Sequence, residues 1–109
     1  MKATEDLVIQ SWFIPTEEHK KLKLIALQNE STMTNYLLEY LDIGNKTYMN
    51  QPIDLKLYIP YLKIDKYKKI LIAFDKENNK IAKKIALQND ITLRDLLKIY
   101  VIDGNKRNI

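Results

Sequence analysis

Ile25-Ala26-Leu27-Gln28-Asn29 recurs as Ile85-Ala86-Leu87-Gln88-Asn89, an offset of 60 residues. Laying residues 9–46 over 69–106 at that offset keeps the five, and adds Glu17/Glu77, Lys20/Lys80, Lys23/Lys83, Thr32/Thr92, Leu37/Leu97, Tyr40/Tyr100 and Gly44-Asn45-Lys46/Gly104-Asn105-Lys106. In all, 14 of 38 positions are identical without a gap. One supersecondary unit therefore occurs twice, and each copy checks the reading of the other.

The chain has 109 residues, 46% hydrophobic and 29% charged, a globular composition with too little polarity for disorder. Two units of about 45 residues lie near the lower limit for burying separate cores, so one shared core in a single domain is expected. Cysteine is absent, which removes disulfides, thiolate metal sites and cysteine nucleophiles together. The opening Met1-Lys2-Ala3-Thr4-Glu5-Asp6 predicts no secretory leader, no apolar run approaches the roughly 20 residues of a membrane span, and a cytoplasmic protein is expected. Charge is uneven: residues 1–50 carry 5 Lys/Arg against 7 Asp/Glu (−2), and residues 51–109 carry 13 against 7 (+6). A basic half favours a polyanionic partner, although lysines on any solvated face give the same count.

Leu7–Pro15 is rich in strand formers and predicts a strand over about 8–14, stopped by Pro15. From Thr16 the period becomes helical: Leu22, Ile25, Ala26 and Asn29 share a stripe, with Glu17 and Glu18 in the first turn. Thr32 is placed to cap a second helix, along which Met33, Tyr36, Leu37, Tyr40, Leu41 and Gly44 repeat. Gly44 is expected to supply the left-handed residue that ends it. In the second copy, residues 69–74 give the strand and Asp75 an N-cap. Ile81, Ala82, Ile85 and Ala86 form the first helical stripe, and Thr92 caps a helix carrying Leu93, Leu96, Leu97, Tyr100, Val101 and Gly104. Between the copies, in residues 47–68, Ile53, Leu55, Leu57 and Ile59 alternate with polar residues and predict an extra extended strand in the linker, ended by Pro60.

A lone strand with two amphipathic helices has an unpaired edge and half a core. Both defects vanish if the two strands pair antiparallel and four helices pack around their shared apolar centre. The expected fold is thus mainly α with a two-stranded antiparallel ribbon, in a single domain with units at 8–46 and 69–106. Parity directs Gln10, Trp12, Ile14, Ile70, Ile72 and Phe74 inward, and Ile9, Ser11, Phe13, Lys69, Leu71 and Ala73 outward.

A strand ending in Ile14-Pro15, a helix with Leu22-x-x-Ile25-Ala26, a break and a Thr-capped helix with paired apolar positions resembles the ribbon-helix-helix family of DNA-binding proteins. The resemblance covers the repeated unit twice, so this chain looks like a tandem form, a pseudo-dimer within one polypeptide. It implies that the ribbon enters the major groove of double-stranded DNA, with Ile9, Ser11, Phe13, Lys69, Leu71 and Ala73 towards the bases. It also implies that the N-termini of the second helices, Thr32-Met33-Thr34 and Thr92-Leu93-Arg94, hold phosphates through free backbone N–H groups. The function so implied is a sequence-specific regulator, a repressor of plasmid or viral type, with further self-association on DNA.

The outward ribbon positions depart from that family, whose residues there are typically Arg, Lys, Gln, Asn or Thr; here Ser11 and Lys69 alone match in kind. Ile9, Phe13, Leu71 and Ala73 suit thymine methyl groups or a covering protein. The alternative is therefore a protein-interaction module, with a relaxosome accessory or antitoxin-like role, that uses the apolar ribbon face or the Tyr/Lys linker. Glu30 and Asp90 beside the clamps would repel phosphate. His19, the single histidine, has no cysteine or second histidine to build a triad or metal site with. No catalytic residue, cofactor or metal is expected, and the chain reads as a binding protein rather than an enzyme.

Overall fold

The structure, a computed structural model, describes residues 7–108. Strand β1 (Leu7–Pro15) runs directly into α1 (Thr16–Gln28), and α2 (Met33–Tyr48) follows. A linker carries a 3-10 turn (Leu55–Leu57) and the short α3 (Ile59–Leu62). Then β2 (Tyr67–Asp75), α4 (Lys76–Gln88) and α5 (Leu93–Arg107) repeat the first order. The two strands form one antiparallel sheet in which Ser11 faces Leu71. Those two residues are equivalent in the repeat, so the pairing is centred on the same position of both copies.

Strand parity sorts the ribbon as its sequence requires. Trp12, Ile14, Ile72 and Phe74 are buried, with Trp12 edge-on to Phe74 at 6.4 Å between centroids. Gln10, polar but inward, is satisfied by donating to Asn79 Oδ1 at 3.1 Å. Leu22, Ile25 and Ala26 of α1, Leu37, Tyr40 and Leu41 of α2, and Ala82, Ile85 and Ala86 of α4 bury the expected stripes. At about 25 cal/mol per Å2 of apolar surface withdrawn from water, this common core is the main favourable term in the fold.

The helix ends have local causes. Thr32 Oγ1 accepts from the Asn35 amide at 3.1 Å, Thr92 Oγ1 from the Asp95 amide at 3.0 Å, and Asp75 Oδ2 from the Asn78 amide at 3.0 Å. That last bond holds the Asp75 carboxyl below the usual carboxylate range, against a smaller upward effect of burial. α1 has no side-chain cap after Pro15, but its first turn carries Glu17 and Glu18 against the positive end of the helix. Both first helices end in the same six-residue closure: Ser31 N–H donates to Ala26 O and Glu30 N–H to Leu27 O, and Ile91 and Asp90 do the same to Ala86 and Leu87. It forces the residue after the cap into the left-handed region, at φ 51° for Glu30 and 57° for Asp90.

Gly44 does not end its helix; that expectation is corrected. Gly44 and Gly104 both lie inside helices with negative φ. Their role is close approach: a Cβ on Gly44 would lie 2.6 Å from the Tyr100 ring, and one on Gly104 would overlap the Tyr40 ring. Each tyrosine crosses to the other copy over the missing side chain. Its hydroxyl then donates to the asparagine next to that glycine, Tyr40 to Asn105 Oδ1 at 3.0 Å and Tyr100 to Asn45 Oδ1 at 2.9 Å. The same asparagines donate through Nδ2 to the first helix of the opposite copy, Asn105 to Glu18 O and Oε1 and Asn45 to Asn78 O and Oδ1. The repeated Tyr-x-x-x-Gly-Asn is thus a reciprocal seam, satisfying polar atoms that burial would otherwise leave costly.

The linker strand is also corrected. Residues 55–57 form a 3-10 turn and 59–62 a helical turn, with Asp54 Oδ1 accepting from the Lys56 amide at 3.3 Å and Pro60 in the first turn of α3. The alternation misled because a strand must pair, whereas the linker is held by side chains. Tyr58 donates to Asp103 Oδ1 at 2.6 Å, Tyr48 to Asp103 Oδ2 at 2.8 Å, and the Ile53 amide to Asn89 Oδ1 at 3.0 Å. Ile53 and Tyr58 are buried while Leu57 and Ile59 stay exposed. Ile99 and Ile102 of α5, off the expected stripe, are buried as well.

Candidate nucleic-acid interface

The face of the ribbon turned away from the core carries Leu7, Ile9, Ser11 and Phe13 from β1 and Tyr67, Lys69, Leu71 and Ala73 from β2. Ile9 is 69% exposed and Leu71 63%, side chains that a folded chain normally covers. Ile9 is opposite Ala73, Ser11 opposite Leu71, and Phe13 opposite Lys69. The six outward residues expected from the sequence therefore lie on one surface.

That surface has two unlike ends. Around Phe13 the Tyr67 ring stands edge-on at 5.2 Å, the Lys69 ammonium lies 5.8 Å from the ring centroid, and the Arg94 guanidinium lies 3.7 Å from it. Arg94 also comes within 5.4 Å of Tyr67. Ring faces carry negative quadrupole density, which offsets part of the repulsion between two cations brought to one ring. The repeat equivalents of Phe13, Tyr67, Lys69 and Arg94 are Ala73, Leu7, Ile9 and Thr34, so at the other end these four positions carry neither a ring nor a cation.

The second helix of the second unit, α5, opens beside this surface, since Arg94 in its first turn reaches the Phe13 ring. In α2 the amides of Met33 and Thr34 precede the first amide that donates within the helix, and in α5 those of Leu93 and Arg94 do. Thr32, Thr34, Thr92 and Arg94 are exposed, and Met33 and Leu93 half-buried. The threonine hydroxyls are engaged as caps, accepting from the Asn35 and Asp95 amides. Arg94 divides its groups: its amide stays with the helix end while its side chain crosses to the ribbon. Sequence reasoning placed Arg94 with the phosphate clamp and missed this stack. Extending the second strand by two residues would have added Tyr67 to the outer face, since it shares the parity of Lys69 and Leu71; the place of the Arg94 side chain had no signal in the sequence.

His19 is half-buried in α1, and its imidazole is held below its ordinary range by burial first and then by the charges of Lys68 and Lys23. Among the described residues, no three His, Asp or Glu side chains gather in a way that would hold a metal ion, and no helix is long and apolar enough to cross a membrane. Set against known protein families, curated proteins and solved structures, the chain matches none of them.

Proposed function

We propose that the chain is a tandem ribbon-helix-helix protein, a pseudo-dimer in one polypeptide, that binds double-stranded DNA as a sequence-specific regulator. The observation that carries this reading is the outward ribbon face. It is exposed, is as narrow as two strands, and bears the Lys69 and Arg94 cations at one end. A two-stranded ribbon fits the width of the major groove, and the helix N-termini beside it supply amides for the flanking phosphates. Its role is binding and positioning, with no catalytic step, cofactor or metal.

The test is an electrophoretic shift with AT-rich duplex across a salt series. Helix-end and lysine contacts to about five phosphates, at roughly 0.9 per phosphate neutralised, give a log–log slope of about −4 to −6. The exposed Ile9 and Leu71 favour a second reading, in which this apolar face meets a protein. Absence of a duplex shift, or a shift that salt does not weaken, would replace the first reading by the second.

A further inference from the structure

We infer that the two ends of the ribbon do unequal work: the end built on Phe13 makes Arg94 a base-reading residue, so that the preferred duplex is asymmetric, with guanine recognised on one side of its centre only. This inference rests on the DNA-binding reading above. It goes beyond it by assigning the specificity to one side chain, and that side chain comes from a helix rather than from the ribbon.

The chemistry of the stack supports the assignment. A guanidinium lying over a ring is held by its π face, which leaves its N–H donors directed outward in their own plane. That fork is the geometry that matches O6 and N7 of guanine in the major groove. At 3.7 Å from the Phe13 centroid, Arg94 is carried on the groove-facing side of the ribbon rather than out along the helix axis, where a phosphate would lie. No carboxylate competes for it among the described residues. The next residue, Asp95, is turned to Lys98 at 3.8 Å, and the other ion pairs leave both Arg94 and Lys69 free. Two cations gathered at one ring, neither of them in an ion pair among the described residues, suit an electronegative partner, and the guanine edge offers two acceptors side by side.

The opposite end lacks every element of this device. Ala73 stands where Phe13 would be, so no ring is there to hold a guanidinium, and Thr34 stands where Arg94 would be. Ile9 offers methyl groups, which suit thymine methyls and read no donor or acceptor. Around a ribbon whose pairing is centred on equivalent residues, this difference in side chains is what breaks the symmetry.

The experiment is selection from a random-core duplex library with the intact protein. Affinities are then measured on the selected duplex and on its three single-base replacements at the guanine position. A motif with guanine on one side is expected. Arg94→Lys, which keeps the charge but loses the fork, should reduce the preference for guanine over its replacements by about 5- to 150-fold, the range of one bidentate contact, while leaving affinity for the replaced duplexes within about threefold. The double variant Thr34→Arg/Ala73→Phe, which copies the device to the other end, should select guanine on both sides. A palindromic motif with the unaltered protein, or an equal loss on all four duplexes with Arg94→Lys, overturns the proposal and leaves DNA binding intact. No enrichment of any duplex overturns the DNA-binding reading, and the proposal with it.

Discussion

The two copies of the repeat are alike in the tyrosine–glycine–asparagine seam and unlike on the outer face of the ribbon. In the seam, Tyr40 with Asn105 repeats Tyr100 with Asn45 to within 0.1 Å in the hydroxyl bond (3.0 against 2.9 Å), and both glycines make room for a ring. Outside, Phe13 and Arg94 correspond to Ala73 and Thr34, and Asp103 of α5, which takes the linker's Tyr58 hydroxyl, corresponds to Ile43 of α2. The difference follows from what each position must satisfy. A seam residue meets its own counterpart's surroundings, so a change in one copy strands a buried group in the other; a surface residue meets water and diverges without that penalty.

The largest expected effect comes from breaking the shared core across one strand. Trp12 is 0% exposed and its indole N–H has no acceptor among the described residues, so its contribution is packing. Trp12→Ala should cost about 3–5 kcal/mol in chemical denaturation, and the neighbouring Phe13→Ala, on the outer face, less than half of that. Equal losses would mean that the two ribbon faces are not the inside and outside described above.

Next in size are the glycines. Gly44→Ala and Gly104→Ala each force a tyrosine ring of the opposite copy to move, and each should destabilise by about 1–3 kcal/mol despite the better helix propensity of alanine. The sharper expectation is their similarity. A loss confined to one of them would show that the seam is not reciprocal.

The linker side is addressed by Tyr58→Phe, which removes the 2.6 Å bond to Asp103 while Tyr48 keeps its own, at a cost of about 1–2 kcal/mol. Burial first, and then the Asp103 carboxylate and the Tyr48 hydroxyl, hold the Tyr58 phenol well above its ordinary value; burial does the same to Tyr100. A phenol whose folded pKa is raised contributes stability that is complete below the unfolded value near 10. That stability is lost as pH climbs past 10 towards the higher folded value. Melting temperature should therefore fall above pH 10, and fall less steeply in Tyr58→Phe. A parallel pH profile would detach Tyr58 from the alkaline transition.

The smallest effect is a gain. Glu30 and Asp90 hold left-handed conformations without being glycine, so Glu30→Gly and Asp90→Gly should each stabilise by about 0.5–1 kcal/mol. Removing a carboxylate beside the helix openings should also strengthen duplex binding at low salt, in both copies alike. A destabilisation on calorimetry would mean that these side chains make contacts worth more than the strain they carry.

The sequence by itself determined the elements of the two repeated units and their faces. A period of 2 in β1 and β2 and a period near 3.6 in the helices are local consequences of backbone geometry, so burial of Trp12, Leu22, Leu37, Ile72 and Leu97 was readable from spacing. Caps at Thr32, Asp75 and Thr92 were readable for the same reason, since each bond spans three residues. Of the outward surface, the six ribbon positions were legible and the Arg94 stack was not. Tertiary structure decided what depends on partners distant in the chain. Whether Ile53–Ile59 pairs as a strand turned on Asp103 drawing in the Tyr58 hydroxyl across 45 positions. Whether Gly44 ends a helix or admits a ring turned on Tyr100, and where Arg94 lies turned on Phe13. Spacing along a chain encodes direction relative to its own backbone; which group waits in that direction is set only when the two copies close on each other.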